Sequence, residues 1–500
     1  MTRIEQIKDV DTLRQVAVLL DRENHRLHER LAKLSAEIDQ LKGREATTLQ
    51  RELDALKEVL AQRERAIFGD KTERRPRTDA EDAPPKRARQ QGHGPRPQPA
   101  LPILDVIHEL DVADQSCPQC GGALKEWTGQ TEDSEEISVV ERRFVILKHQ
   151  RKKYRCACNG CVETAPGPVK LQPGSRYATG FAVEVAVQKY LDHLPLERQV
   201  RVMGREGLTI DSQTLWDQLN MLAGVLYPTY EALVQRVLDG DVVGADETWW
   251  RLMGKESSKR WWVWSVSGHD AVFYKVLPSR SHEAARQVLD GYRGVVIADG
   301  YGAYEALSRA GPSFTLAHCW AHVRRKFIEA EVHFPGPCGE VLELIGRLYA
   351  VEQTVPSAIS DEARPDTWSL RQRLRDERSR AIVREIQNWA FAQTPLPESS
   401  LGKAIAYMLG LWKGLTLFLD DPRIPLDNNV TERALRGVVV GRKNHYGSRS
   451  QRGTEVAALF YSLLESAKLA GVEPKLYLLA ATRSALADSH AITLPHHLRH

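Results

Sequence analysis

The N-terminal region repeats leucine at every seventh position, and Asn24 lies in the companion seam of the same repeat. An asparagine at a single a-type position commonly fixes register and helix number, and it favours a parallel dimer. The pattern therefore predicts a leucine-zipper coiled coil that makes the protein a homodimer or higher oligomer. A long amphipathic helix docked on its own domain is the alternative. The predicted dimerisation residues are Leu13, Leu20, Asn24, Leu27, Leu34 and Leu41.

The following segment has no apolar pattern. Residues 71–100 contain eight basic residues, four acidic residues and six prolines, and no aliphatic side chain larger than alanine. Such a stretch cannot bury a core and predicts a flexible basic, Pro-rich linker. A nonspecific phosphate contact through residues 86–89 and a merely solvated linker are both compatible with this composition.

Five of the seven cysteines fall within 45 residues of one another. Two cysteine turns flank strand-like sequence at 137–140 and 144–147, and zinc prefers four soft ligands that tight turns present in pairs. The pattern predicts a zinc ribbon with a structural Zn²⁺; buried thiols without a metal are the alternative. Which two of the three downstream cysteines bind stays open. The ligands are four of Cys117, Cys120, Cys156, Cys158 and Cys161.

Helical periodicity begins at about residue 177 and continues to about 238. Segments at 181–191, 196–203 and 212–222, with turns between them, predict a helix-turn-helix-like bundle. Thr209 or Asp211 is placed to cap the last helix, whose Gln213, Thr214 and Gln218 are suited to contact base edges or phosphates. A three-helix bundle that does not read DNA is the alternative.

Residues 241–320 alternate strand and helix patterns. Runs at 241–250, 260–267 and 271–277 predict three sequential antiparallel strands, followed by a helix at 281–292 and a buried strand at 294–298 that ends in Asp299. Because neighbouring side chains on a strand point to opposite faces, only one of Asp246 and Glu247 can share a site with Asp299. An ordinary turn or helix cap is the alternative for Asp299.

A local basic patch lies further along the chain. Between Arg433 and Arg452 there are six Lys or Arg residues and no acid, and Glu432 directly precedes the patch. A single acid facing such a patch indicates a bound cation, whereas a Glu432–Arg436 pair within one helix is the alternative. A histidine pair at His318 and His322 permits a metal if the segment is helical, although a packing or DNA-contact role for residues 319–322 is favoured.

The overall composition narrows the function. The formal net charge is only +3, with 42% hydrophobic and 27% charged residues, so a basic coat over the whole surface, general disorder and a membrane bundle are excluded. No secretory leader is visible in the first residues, and the longest apolar stretch is interrupted by Lys413. We expect a cytoplasmic protein with no membrane partner.

The motifs together resemble the transposases of the insertion-sequence-66 family. The resemblance covers nearly the whole chain and depends most on residues 298–301 (ADGY), 319–325 (CWAHVRR) and 427–436 (DNNVTERALR). It implies an α/β ribonuclease-H-like catalytic core with a helical insertion, preceded by a coiled coil, a zinc ribbon and a helical DNA-binding-like segment. The implied catalytic triad is Asp246, Asp299 and Glu432, with Asp427 as the alternative third acid.

The implied activity is that of a DNA transposase. It would bind element ends and catalyse metal-dependent hydrolysis and 3′-OH strand transfer, with the three acids holding two Mg²⁺ ions, or Mn²⁺. Double-stranded DNA, accessory transposition proteins and a nucleoid-associated location are implied as well. The alternatives are a catalytically inert DNA-binding regulator and a nuclease that cuts without joining. The candidate DNA-binding residues are Arg324, Arg325, Lys326, Arg433, Arg436, Arg442, Lys443 and Arg449.

These patterns predict eight segments. Their order is coiled coil, linker, zinc ribbon, helical segment, first part of the core, helical insertion, core completion with the Glu-bearing helix, and tail. The corresponding boundaries are 1–68, 69–105, 106–172, 173–240, 241–334, 335–422, 423–490 and 491–500.

Overall fold

The computed structural model describes residues 29, 33, 119–120, 122–123, 143–155, 162–253, 258–309, 314–356 and 364–499. The chain divides into two compact units, Thr72–Arg143 and the remainder, and the fold below is that of the remainder. The predicted zipper positions, the linker and the candidate zinc ligands other than Cys120 lie outside the described residues. Those predictions therefore stay predictions.

Two short antiparallel strands precede the main fold, β1 (Lys153–Arg155) and β2 (Val162–Thr164). The predicted strand at 144–147 is wrong, because these residues belong to no strand. Val145 and Ile146 are 74% and 81% exposed, so these apolar side chains are not buried against a core.

A five-stranded mixed sheet forms the centre of the fold, in the order β5-β4-β3-β6-β7. Within this sheet β4 pairs antiparallel with both β3 and β5, as predicted. The strand β6 pairs in parallel with β3, and β7 pairs in parallel with β6. This order and these directions fit a ribonuclease-H-like core. The strands are β3 (Val242–Met253), β4 (Ser258–Ser267), β5 (Val272–Leu277), β6 (Val295–Ala298) and β7 (Thr315–His318).

Three helices precede the sheet, α1 (Thr179–Tyr190), α2 (Leu196–Arg205) and α3 (Ser212–Leu238). The first two lie close to their predicted positions, whereas α3 begins as predicted and continues 16 residues beyond the predicted end at 222. Asp211 caps α3 by accepting a hydrogen bond from the Thr214 N–H at 2.7 Å. The apolar faces of these helices share one hydrophobic core with the sheet. Gln218, which the sequence pattern assigned to DNA contact, is only 4% exposed and therefore faces this core.

The remaining helices cover the sheet and form the insertion. Short helices α4 (His282–Val288) and α5 (Gly302–Arg309) flank β6 in sequence. The helices of the insertion and α6 together enclose a second hydrophobic core. The further elements are α6 (Trp320–Glu331), α7 (Pro335–Gln353), α8 (Arg364–Leu374) with a π-helical turn (Arg375–Ser379), α9 (Arg380–Ala392), α10 (Ser400–Gly410), α11 (Trp412–Thr416), α12 (Asn429–His445), α13 (Gln451–Leu469) and α14 (Pro474–Ala487). None of these described helices combines the length and apolar character needed to span a bilayer.

The start of α12 lies directly against β3. Gly244 faces the side chains of Asn428 and Thr431 so closely that a Cβ atom there would collide with both of them. The Thr431 hydroxyl bonds in turn to Asn428 and to Ser267 on β4. Glycine at position 244 therefore allows the helix that carries Glu432 to approach the strand that carries Asp246.

We expect Gly244→Ala to lower the free energy of unfolding by about 1–3 kcal/mol, because the added methyl group overpacks this contact. Gly224→Ala is the matched control, since an added Cβ meets nothing within 4 Å at that position in α3. Removing a helical glycine at an exposed position should be neutral or stabilise the protein by about 0.5–1 kcal/mol. Urea unfolding followed by circular dichroism measures both values, and equal effects of the two variants would contradict the close approach at Gly244.

Candidate active site

Asp246 and Asp299 come from neighbouring parallel strands. The register pairs Gly244 of β3 with Ile297 of β6, and each acid follows its paired residue by two positions. The strand β6 ends at Ala298, so Asp299 stands at its carboxyl end, where side chains of neighbouring strands can converge on one site. Asp299 is near enough for its negative charge to contribute to the raised pKa of Asp246.

Glu432 reaches the same place from the first turn of α12. The preceding Asn428 donates a hydrogen bond from Nδ2 to the Ala245 carbonyl at 2.9 Å, directly beside Asp246. Glu432 also contributes to the raised pKa of Asp246. The structure thus brings together the three acids that the sequence analysis selected, although Glu432 lies 133 residues after Asp299.

The pKa of Asp246 is raised to about 7 by burial and by neighbouring negative charges. Burial is the largest cause, followed by the charge of Glu247 and then by Asp299 and Glu432, while a hydrogen bond from the Glu247 N–H acts in the opposite direction. Grouped carboxylates of this kind are stabilised by a divalent cation, and carboxylate oxygens are the ligands that Mg²⁺ prefers. The donor set therefore fits Mg²⁺.

Glu247 points to the other face of the sheet, as strand alternation requires. Its carboxylate lies 2.6 Å from Arg280 and accepts a hydrogen bond from the Tyr304 hydroxyl at 2.7 Å. Arg280 also stacks on the ring of Tyr301 at 3.7 Å. The Tyr301 N–H donates to Asp299 Oδ1 at 3.0 Å, so this network positions the Asp299 loop.

Three residues that support the site, Arg280, Tyr304 and Tyr407, were not predicted from the sequence. The Tyr407 hydroxyl of α10 accepts a hydrogen bond from the Gly300 N–H at 3.2 Å. Tyr304 could have been predicted from the sequence, because it lies only five residues after Asp299. No local signal links Gly300 to Tyr407, because 107 residues separate them.

A second group of side chains surrounds Glu432. His322 Nδ1 lies 3.6 Å from Glu432 Oε1, and Arg325 Nη2 lies 3.5 Å from Glu432 Oε2. Cys319 is 1% exposed, and its sulfur accepts a hydrogen bond from the Asn428 N–H at 3.2 Å. The helical His318–His322 pair considered above is wrong, because β7 ends at His318 and α6 begins only at Trp320.

Asp427 occupies a different position from Glu432. Its carboxylate accepts hydrogen bonds from the Asn429 N–H at 3.1 Å and from Asn429 Nδ2 at 2.6 Å. Both oxygens therefore support the start of α12. Glu432 is close to Arg325 and His322 rather than to Arg436 among the described side chains, so the alternative of a simple pair within the helix is not what the structure contains.

The candidate DNA-binding residues are not equally accessible. Arg442 is 8% exposed; its guanidinium bonds to Thr248 Oγ1 at 3.0 Å and to the Trp249 carbonyl, and it stacks on the Trp249 ring at 3.9 Å. The guanidinium of Arg442 therefore stabilises β3, and the prediction that Arg442 contacts DNA is wrong. Arg325 is half-buried beside Glu432. The exposed residues of the set are Arg324, Lys326, Arg433, Arg436, Lys443 and Arg449.

The mixed sheet and its strand order fit the transposase class of DNA-processing proteins, and comparison with known families agrees with this class. The sequence profile of the IS66 transposase family matches residues 174–456, more than half of the chain. The chain belongs to this family. A second profile, the zinc-finger binding domain of IS66 transposases, matches residues 114–159 and supports a structural zinc ion.

Similar proteins occur in Sinorhizobium fredii (strain NBRC 101917 / NGR234). The uncharacterized protein y4jD is 33% identical over 78% of this chain and 78% of its own length. The uncharacterized protein y4qI is 28% identical over 93% of this chain and 92% of its own length. Among solved structures, a Mos1 transposase paired-end complex with the left transposon end matches 48% of this chain and 78% of its own chain. The identity is 11% and the TM-score is 0.12.

We expect Asp246→Asn to raise the melting temperature of the protein without added Mg²⁺, and to do so more at about pH 8 than at about pH 5. The pKa of Asp246 in the folded state, about 7, exceeds that of an unfolded aspartate, so its carboxyl group reduces stability as pH rises from about 4 to about 7. Asparagine removes this charge.

Thermal unfolding at the two pH values measures the difference. Asp290→Asn is the control, because Asp290 is an exposed carboxylate outside the acid cluster and its substitution should change the melting temperature little at either pH. An equal shift for Asp246→Asn at both pH values would show that the effect is not electrostatic.

Proposed function

We propose that the protein catalyses DNA strand transfer through Asp246, Asp299 and Glu432. The observation that carries this proposal is the convergence of separate elements on one place: Asp246 and Asp299 follow paired residues of β3 and β6, and Asn428 bonds the start of the Glu432 helix to Ala245. The charges of Asp299 and Glu432 add to the effect of burial and of Glu247 in raising the pKa of Asp246. Perturbed carboxyl groups cluster at catalytic sites, and carboxylate oxygens are the ligands that Mg²⁺ takes. Family membership supports the same reaction.

Asp246, Asp299 and Glu432 would hold the two Mg²⁺ ions. When bound, such ions activate the attacking oxygen and stabilise the leaving oxygen of an in-line phosphoryl transfer. Asp246 and Asp299 would share one ion, because they stand on paired strands, and Glu432 would complete the second position from α12. The role of the chain is to hold the three carboxylates at fixed positions on rigid elements.

The reaction has two steps on one site. Water first attacks the phosphodiester at the end of the element, the bond to the 3′ oxygen breaks, and a free 3′-OH results. That hydroxyl then attacks a phosphodiester of the target DNA, so a new P–O bond forms as the target strand breaks. Only the nucleophile differs between the steps, and the same three acids therefore serve both.

The exposed basic residues would bind the DNA backbone. Arg433 and Arg436 follow Glu432 on α12 and are exposed, and the described residues contain no ion pair for either of them. Arg324 and Lys326 lie on α6, which carries His322 and Arg325 beside Glu432. A duplex whose backbone meets these side chains would have its phosphates close to the acids.

The N-terminal segments would supply assembly and further DNA contacts. A zipper dimer would hold two element ends at once, which concerted transfer requires. The zinc finger would be folded by one Zn²⁺ held by four of the five clustered cysteines; the matched range includes Cys117, Cys120, Cys156 and Cys158 and ends before Cys161.

We expect Asp246→Asn, Asp299→Asn and Glu432→Gln each to reduce joining of element ends by at least about 100-fold. Loss of an acid that holds the metal removes several kcal/mol of transition-state stabilisation, and each 1.36 kcal/mol is a factor of about ten. An in vitro assay with Mg²⁺ and labelled element ends measures cleavage and joining separately. Cleavage by the wild-type protein without any joining would indicate a nuclease instead.

Asp427→Asn is the comparison variant for this assay. Because both oxygens of Asp427 are engaged by Asn429, this change should reduce joining far less than Glu432→Gln does. The reverse order of the two effects would replace Glu432 by Asp427 as the third acid. Undiminished joining by Asp246→Asn or Asp299→Asn would refute the proposed triad.

We expect the double variant Arg433→Gln, Arg436→Gln to bind duplex DNA more weakly and with a weaker salt dependence. Each lost phosphate contact should reduce the slope of log K against log salt concentration by about 0.9. Binding isotherms at several salt concentrations give this slope. Arg347→Gln is the control, because Arg347 is already paired with Glu385 at 2.7 Å, and its slope should equal that of the wild type.

A further inference from the structure

We propose that Cys319, His322 and Glu432 form a second metal site, which takes a zinc-like transition metal and thereby removes Glu432 from the Mg²⁺-binding set. The proposal builds on the proposed function only in the role of Glu432. One ligand atom of each of the three residues lies within 4.8 Å of the other two. They come from the start of α6 and the first turn of α12, which meet at this point.

Two atoms of these side chains that could serve as ligands are buried and lack hydrogen-bond partners. They are Glu432 Oε1 and His322 Nδ1, which lie 3.6 Å apart, too far for a hydrogen bond. A buried polar atom without a partner costs about 1–3 kcal/mol, so such atoms are rare in native proteins and call for an explanation. Arg325 approaches the other carboxylate oxygen, Oε2, and does not satisfy Oε1. A metal ion between the two orphaned atoms would satisfy both.

The sulfur of Cys319 is placed to become the third ligand. The Asn428 N–H donates to it at 3.2 Å, and the backbone N–H groups of Ala321 and His322 also favour its ionised form. Hydrogen bonds of this kind stabilise metal-bound thiolates. Burial raises the pKa of the Cys319 thiol to about 12 without a metal. Binding would form the metal–sulfur bond, and the thiol proton would pass to solvent.

The distances require only a small closure. With Zn–N near 2.0–2.1 Å and Zn–S near 2.3 Å, ligand atoms around a tetrahedral zinc ion are about 3.3–3.8 Å apart. A group already within 4.8 Å reaches that spacing through shifts of about 1 Å, which side-chain rotation of the half-buried His322 and Glu432 provides. A water molecule or a substrate oxygen would fill the fourth position.

The donor types separate this site from the Mg²⁺ site. Sulfur and imidazole nitrogen select zinc and similar ions, whereas Mg²⁺ takes oxygen ligands. Glu432 is the shared residue, and zinc that draws its carboxylate towards Cys319 and His322 would weaken its hold on Mg²⁺. Zinc at micromolar concentration would therefore compete with millimolar Mg²⁺ for Glu432 and inhibit joining.

Zinc counting on the full chain tests the proposal. The protein is dialysed against micromolar Zn²⁺ with millimolar Mg²⁺, and bound zinc is measured by atomic emission. We expect His322→Ala and Cys319→Ala each to bind one zinc ion per chain fewer than the wild type. The matched control is His282→Ala: His282 forms a similar pair with Glu283 at 3.2 Å, but both side chains are more than half exposed, and this variant should keep the wild-type count.

Further variants separate this site from the zinc finger and from the catalytic proposal. Cys117→Ser should lose a different zinc ion, so that Cys117→Ser combined with His322→Ala loses two. Asp246→Asn should keep the wild-type zinc count while it abolishes joining; if it joins normally, the proposed triad fails and the zinc count still decides the metal site. Wild-type zinc counts in folded His322→Ala and Cys319→Ala, with folding checked by thermal melting, would overturn the inference.

Discussion

The position of Asn428 between two elements is the constraint on which the candidate active site depends. Its side chain bonds the Ala245 carbonyl, and its backbone N–H bonds the sulfur of Cys319. These contacts hold the start of α12 against β3 and α6 at once, and the absence of a side chain at Gly244 leaves room for them. Because Glu432 lies one turn further along α12, this junction sets its distance from the acids on the sheet. A buried, fully bonded amide gives a more specific geometry than apolar packing alone would give.

The helical insertion continues the same constraint over a longer distance. Arg375 is fully buried and donates to main-chain carbonyls, including that of Ile424 at 3.0 Å, shortly before α12 begins. A buried guanidinium is tolerated only when its hydrogen bonds are satisfied, so it fixes the chain that passes around it. The backbone N–H of Trp320 donates to the Leu426 carbonyl at 2.9 Å. The Tyr407 hydroxyl supports the loop after Asp299 by accepting a hydrogen bond from the Gly300 N–H. These hydrogen bonds fix the path by which the chain leaves the insertion and enters α12 beside the sheet.

Much of the core could be predicted from the sequence, because the relevant signals are local. Strand alternation separates Asp246 from Glu247, and apolar runs locate β3 to β6 within a few residues. The errors concern properties that tertiary partners decide. Arg442 belongs to a basic run, but its burial depends on β3, nearly two hundred residues earlier. The residues 144–147 have a strand pattern without a partner strand. The proximity of His322 to Glu432 follows from the meeting of two helix starts, which no spacing along the chain reveals.

The electrostatics of the acid cluster explain why this region carries so many supporting hydrogen bonds. Like charges on Asp246, Asp299 and Glu432 repel one another, and this repulsion adds to the effect of burial on the pKa of Asp246. Contacts on both faces of β3 hold the acids in place against this repulsion. Glu247 pairs with Arg280 on one face, and Asn428 bonds the Ala245 carbonyl on the other. A site that keeps like charges together before a cation arrives needs no rearrangement when it binds one, since the cost of ordering is already met by folding. The same rigidity leaves Glu432 Oε1 without a partner, which makes this one oxygen available to whichever ion the neighbouring side chains favour.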